Sequence, residues 1–93
     1  MASRFLIEIP HEATKASCLR AIESILKSGS HLVTQADWGC KDGEHKCWLV
    51  VEMESKDDAR AIIPPALRTQ ARVTQLNAFS MAEVEAMLGT HGG

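Results

Sequence analysis

The stretch WGCKDGEHKCW, from Trp38 to Trp48, carries Cys40, His45 and Cys47 on a short loop bracketed by tryptophans. Thiolate and imidazole are the donors that zinc and nickel accept best. A further imidazole, His11, lies upstream. If the fold brings them together, His11, Cys40, His45 and Cys47 form a two-thiolate, two-imidazole metal set. The spacing also has a plainer explanation. Structural zinc motifs usually place two cysteines a few residues apart, whereas C-x4-H-x-C here spans a turn that Asp42-Gly43 already explains. Cys47 falls on the expected core side, where a free thiol behaves as a small hydrophobe. Cys40 beside His45, with Lys41 and Lys46 close by, also meets the minimum for an activated thiol nucleophile. A hairpin tip excludes water poorly, which counts against that chemistry. Cys18 reads as packing on a helix.

A second set of candidates is acidic. Glu8, Asp37 and Glu52 fall among apolar residues on alternating segments, and burial there would raise a carboxyl pKa toward the range useful for a general base. Trp48, Gln35, Gln75 and Asn77 would line the same surface as ligand contacts. Arg60, Arg68 and Arg72 lie close enough in sequence to cluster near the last strand, as an anion site or as solvated surface charge.

The elements that must position these groups follow from periodicity. RFLIEI alternates, with Phe5, Ile7 and Ile9 on one side, and stops at Pro10. Cys18, Leu19, Ile22, Ile25 and Leu26 recur at helical spacing, with Gly29 where a cap is expected. HLVTQADWGC and KCWLVVEME are two strand-like runs, and Asp42-Gly43 between them predicts a tight type I′ hairpin. That register sets Leu32, Thr34, Ala36 and Trp38 opposite Met53, Val51, Leu49 and Cys47. It sets Val33, Gln35 and Asp37 opposite Glu52, Val50 and Trp48. Ser55 caps a short helix that Pro64 and Pro65 end near Ile63. Arg72 to Phe79 is a fourth strand, and the capping box Ser80-Met81-Ala82-Glu83 opens a last helix ending at Gly89.

The order β-α-β-β-α-β with an added C-terminal helix predicts a single α+β domain over 1–93, fraying from Thr90. This is the ferredoxin-like split β-α-β, an antiparallel sheet in order 4-1-3-2 with its helices on one face. The bare face then carries Leu6, Val33, Trp48 and Val50, with Val73 and Phe79 from the last strand. A patch of that size predicts a homodimer through the sheet faces, enclosing a partly polar cavity for a small organic ligand.

The segment WGCKDGEHKCWLVVEMESKDDARAI combines an aromatic strand, an Asp-Gly turn, a Cys-bearing strand and a Ser-capped helix. With the element order, it resembles the dimeric α/β-barrel superfamily of small bacterial proteins. That group includes muconolactone isomerases, antibiotic-biosynthesis-type monooxygenases and small nickel-binding members. The resemblance implies a dimeric barrel and leaves three functions open: an isomerase- or monooxygenase-type enzyme, a metal-binding or sensing module, or a protein-interaction module. In the nickel-binding members the cysteine stands about one position further from the turn than Cys47 does.

Bulk composition narrows the classes. Ten basic and twelve acidic residues leave a net charge of −2, and aromatics make up only 4%, with no Tyr. Nucleic-acid binders need a cationic stripe or a stacking platform, so none is expected here. No stretch has the length of a membrane span, and Glu8, Pro10 and His11 interrupt any apolar leader, so a cytoplasmic location is expected. An odd count of three cysteines, in a reducing compartment, predicts free thiols.

Overall fold

The computed structural model describes residues 2–28 and 31–90. Strand β1 (Ser3–Pro10) leads into helix α1 (Lys15–Lys27), strands β2 (Asp37–Trp38) and β3 (Lys46–Met53), helices α2 (Lys56–Ala61) and α3 (Pro65–Arg68), strand β4 (Arg72–Leu76) and helix α4 (Met81–Thr90). The four strands form one antiparallel sheet in the order β2-β3-β1-β4. Expected Gly29 and the tail beyond Thr90 lie outside the described residues.

Alternation in β1 and β3 decides which face is buried. Phe5, Ile7 and Ile9 stand opposite Val51, Leu49 and Cys47, and all six are buried. Ala21 and Ile25 of α1, Ala59 of α2, and Ile63 and Leu67 close over them. Burying these side chains is the main driving force for the fold. The other face of β1 shows Arg4, Leu6 and Glu8, across from Glu52, Val50 and Trp48.

Caps define the helices as the sequence indicated. Ser55 Oγ accepts from Asp58 N at 3.0 Å and Ser80 Oγ from Glu83 N at 3.1 Å. Thr14 does the same for α1, accepting from Ser17 N at 3.1 Å, and this fixes where Cys18 falls on the first turn.

Three expectations need correction. The run from His31 to Gln35 is not a strand: Ala36 N donates to Val33 O at 3.1 Å, closing a 3-10 turn over Val33–Gln35. The turn points Val33 into the core and leaves Leu32 44% exposed, the reverse of the expected facing. In β4, Val73 lies opposite Ile7 and is buried, so Val73 and Gln75 take the helix side while Arg72, Thr74 and Leu76 take the open side. The strand ends at Leu76, leaving Asn77 and Phe79 beyond it. Finally, Pro65 starts α3, which was not expected. Proline suits a first helical turn because its missing N–H has no partner there anyway.

The three arginines do not form an anion site. Arg68 Nη2 donates to Ala61 O at 3.2 Å and Ile63 O at 2.8 Å, satisfying carbonyls at the end of α2. Arg60 Nη1 donates to Arg68 O and Ala71 O. Both fasten the α2–α3 corner, while Arg72 sits on the open sheet face.

A candidate metal centre at the end of the sheet

The hairpin register is the expected one, with Asp37 opposite Trp48 and Trp38 opposite Cys47. Its tip is different. Asp42 does not take positive φ, so no type I′ turn forms; Cys40–Asp42 make a 3-10 turn, and only Gly43 is left-handed, at φ 86°. Gly39 N donates to Lys46 O at 3.1 Å, and Glu44 N donates back to Gly39 O at 3.0 Å. A β-carbon at Gly39 would stand 2.7 Å from Glu44 O and from the Trp48 ring, so only glycine lets the chain fold this closely. The wider loop gives Cys40 and His45 freedom to turn toward the end of β1.

Pro10 ends β1, and the next residue still pairs: His11 N donates to His45 O at 2.9 Å. This bond holds the two histidines side by side, with ring centroids 5.9 Å apart and the planes nearly perpendicular. The Thr14 cap then starts α1 so that its first turn lies over the same strand end. Cys18 Sγ is 2.9 Å from His11 Nε2 and 3.4 Å from His45 Nδ1, and Cys40 Sγ is 3.2 Å from His11 Nε2.

The four donor atoms of His11, Cys18, Cys40 and His45 all lie within 4.8 Å of one another. Donors on a tetrahedral zinc are separated by about 3.3–3.8 Å, given metal–sulfur and metal–nitrogen bonds of about 2.3 and 2.0–2.1 Å. The three contacts of 2.9–3.4 Å need a small expansion, and the more distant pairs, which reach up to 4.8 Å, must close in. Both thiols aim at one imidazole nitrogen, whose single lone pair accepts one good hydrogen bond. One cation in place of the thiol protons would use a lone pair from every member.

Protonation fits that use. Burial, and then the neighbouring His45, hold the His11 pKa below its ordinary 6.5. With Nε2 as the acceptor, the ring proton sits on Nδ1, which is buried without a hydrogen-bond partner. His11 is thus neutral at pH 7, the form that binds metal. The hydrogen bond between protonated Cys18 and Cys40, then burial, push the Cys18 thiol above its ordinary value, so a metal must displace that proton. A groove of about 420 Å³ lined by Lys15, Leu19, Ile22 and Lys41 opens onto Cys18, Cys40 and His45 and gives an ion a path in.

Three of the four expected ligands, His11, Cys40 and His45, come together, and Cys47 does not. Its side chain is fully buried on the helix side of β3, and burial pushes its thiol up to about 11. Cys18 takes the fourth place. It is buried with Ala21 and Ile25, while Leu19 and Leu26 of the expected stripe are exposed; read as one more apolar residue of that stripe, Cys18 was concealed. The signal that finds it is the interval from His11: a strand end, a short capped turn and the first turn of a helix return position 18 to position 11.

The acidic candidates lie apart from this cluster. Glu8 accepts from Trp48 Nε1 at 3.2 Å on the open face. Asp37 and Glu52 share that face and are exposed. Of the expected ligand contacts only Trp48 lies there. Gln35 is on the 3-10 turn, Gln75 is on the helix side donating to Ser3 Oγ at 3.4 Å, and Asn77 follows the strand. No helix among the described residues is long and apolar enough to cross a membrane. No protein-family model, curated protein or solved structure matches the chain.

Proposed function

We propose that this chain is a non-catalytic metal-binding module, with one ion held by His11 Nε2, Cys18 Sγ, Cys40 Sγ and His45 Nδ1. The observation that carries the proposal is the convergence of four N and S donor atoms within 4.8 Å of one another. Four protein ligands complete a tetrahedral shell, the pattern of structural or sensing sites; catalytic zinc keeps a position open for water. The ligands come from the end of β1, the first turn of α1 and both sides of the hairpin tip. An ion there fastens three segments at one end of the sheet and couples metal supply to folding. Zinc suits the mixed donor set best. Nickel is the rival, which the spectrum of the nickel-loaded protein separates, since nickel favours a planar arrangement and zinc a tetrahedral one.

The test is metal analysis of protein purified without chelator. About one equivalent of zinc or nickel per chain is expected, and less than about one per ten chains ends the proposal.

We read the fold itself as the ferredoxin-like split β-α-β, with α3 and α4 as additions. A second function, binding of a small organic ligand on the open face, is favoured by one observation. Glu8, hydrogen-bonded to Trp48, borders a cavity of about 340 Å³ that Pro10, Lys46, Gln70 and Arg72 complete. Its two cations, Lys46 and Arg72, suit an anionic ligand. An isomerase or monooxygenase of the dimeric-barrel type would use Glu8 there. Loss of aromatic carboxylate binding in Arg72→Ala would support this ligand site, and no binding by the native chain would end it.

A further inference from the structure

The three free cysteines divide into a pair and a solitary one. Cys18 Sγ and Cys40 Sγ lie within 4.8 Å of each other, and Cys18 hydrogen-bonds to Cys40. Both sulfurs also contact His11 Nε2, at 2.9 and 3.2 Å. Cys47 has no exposure and stands in β3 opposite Ile9, with its thiol among core side chains. The odd count therefore conceals one close dithiol.

A disulfide holds its sulfurs at about 2.0 Å, so the pair must close by less than about 3 Å. Its two sides differ in freedom. Cys18 stands near the start of a 13-residue helix that Thr14 caps. Cys40 opens a three-residue 3-10 turn, and Lys41 to Glu44 after it are exposed. Turning Cys40 toward Cys18 disturbs the hairpin tip and leaves the core alone. The groove of about 420 Å³ opens onto both sulfurs and admits a small oxidant. Lys15 and Lys41 line it, and cations of that kind favour the thiolate, the form that reacts.

We propose that Cys18 and Cys40 form a redox-active dithiol that hydrogen peroxide closes to a disulfide, with loss of any ion held there. The loss of the ion rests on the ligand set proposed above; the disulfide does not. Cys40, the less buried of the two, reacts first. His11 Nε2 takes its thiol proton, and the thiolate attacks one peroxide oxygen. The O–O bond breaks, Cys40 becomes a sulfenic acid, and the departing hydroxide collects the proton from His11 and leaves as water. The Cys18 sulfur then attacks the Cys40 sulfur. The S–O bond breaks, and the displaced hydroxyl leaves with the Cys18 proton as a second water. Two thiols are oxidised to one disulfide while one peroxide is reduced to two waters. Only His11 and His45 remain as ligands, so metal affinity should fall by about a thousandfold or more.

The test treats the full chain with hydrogen peroxide, once stripped of metal and once loaded with zinc. Lys27 and Arg20 separate Cys18 from Cys40, and Lys41 and Lys46 separate Cys40 from Cys47, so trypsin releases each cysteine on its own peptide. In the metal-free chain, mass spectrometry should find the Cys18 and Cys40 peptides joined and Cys47 still a thiol, and dithiothreitol should undo the link. Cys40 should react at least about tenfold faster than buried Cys47. In the zinc-loaded chain the same link should appear together with zinc release, read by a chromogenic chelator. Cys18→Ser should accumulate a sulfenic acid at Cys40 that dimedone traps. Cys47→Ala keeps both reacting sulfurs and should form the link at the native rate. A metal-free chain whose Cys40 passes to sulfinic acid with no link, or whose Cys47 oxidises as fast, overturns the proposal. A zinc-loaded chain that keeps its ion and all its thiols under peroxide also overturns it, while the metal site stands. A chain that binds no zinc yet forms the link upholds the dithiol and ends the metal reading alone.

Discussion

Replacing Cys18 with alanine removes the one sulfur that touches both imidazoles, 2.9 Å from His11 Nε2 and 3.4 Å from His45 Nδ1. A four-ligand zinc site is worth about 10–16 kcal/mol as a whole, so one ligand in four accounts for a loss of affinity of about a hundredfold or more. Water can fill the vacated place, but only from the groove side, because Cys18 is 7% exposed. Cys47→Ala is the matched control. Its side chain has no exposure, so truncation leaves a small void worth about 1–2 kcal/mol of stability. It should leave metal affinity within about threefold, because Cys47 is not one of the four converging donors. Cobalt titration against a competing chelator reads affinity, and urea unfolding of the metal-free chain reads stability. The two variants should separate cleanly: affinity falls in the first and stability in the second. A Cys47→Ala chain that loses metal while Cys18→Ala keeps it would refute the ligand assignment.

Further outcomes follow from the same geometry. Gly39→Ala forces a β-carbon against Glu44 O and the Trp48 ring, so it should destabilise the hairpin tip and weaken metal binding about tenfold or more, read by the same titration. Stripping the ion with a chelator should lower the melting temperature by more than about 5 °C in the native chain and by far less in His11→Gln, as followed by circular dichroism. Acid should act in two ways. Protons compete for the thiolates, so metal retention falls as the pH drops. In the metal-free chain His11 has a folded pKa below 6.5, so the unfolded chain takes up the proton first. Stability is then lost as the pH falls below about 6.5, and His11→Gln should flatten that slope in urea titrations.

Much of this arrangement could be read from residue types and spacing. The alternation of Phe5, Ile7 and Ile9, the capping residues Ser55 and Ser80, and the pairing of Asp37 with Trp48 are all as the local patterns require. The failures share a cause: tertiary or turn contacts outweigh periodicity. Val33 turns inward because a 3-10 hydrogen bond replaces a ladder bond. The facing of β4 escapes the pattern because Leu76 and Ala78 look like core residues of a longer strand, whereas the strand stops at Leu76 and Val73 packs against the core. Cys18 was hidden because an apolar stripe and a metal ligand make the same demand on a helix, a small buried side chain near the strand end. Cys47 looked suitable for the opposite reason. It sits two residues from His45, but His45 precedes β3, whereas Cys47 lies inside the strand opposite Ile9, with its side chain packed into the core.

The most direct measurement is X-ray absorption at the zinc edge on the full chain loaded with one equivalent of zinc. Two sulfur neighbours at about 2.3 Å and two nitrogen neighbours at about 2.0–2.1 Å are expected from Cys18, Cys40, His11 and His45. A shell of nitrogen and oxygen alone, or a chain that retains no zinc, would contradict the site.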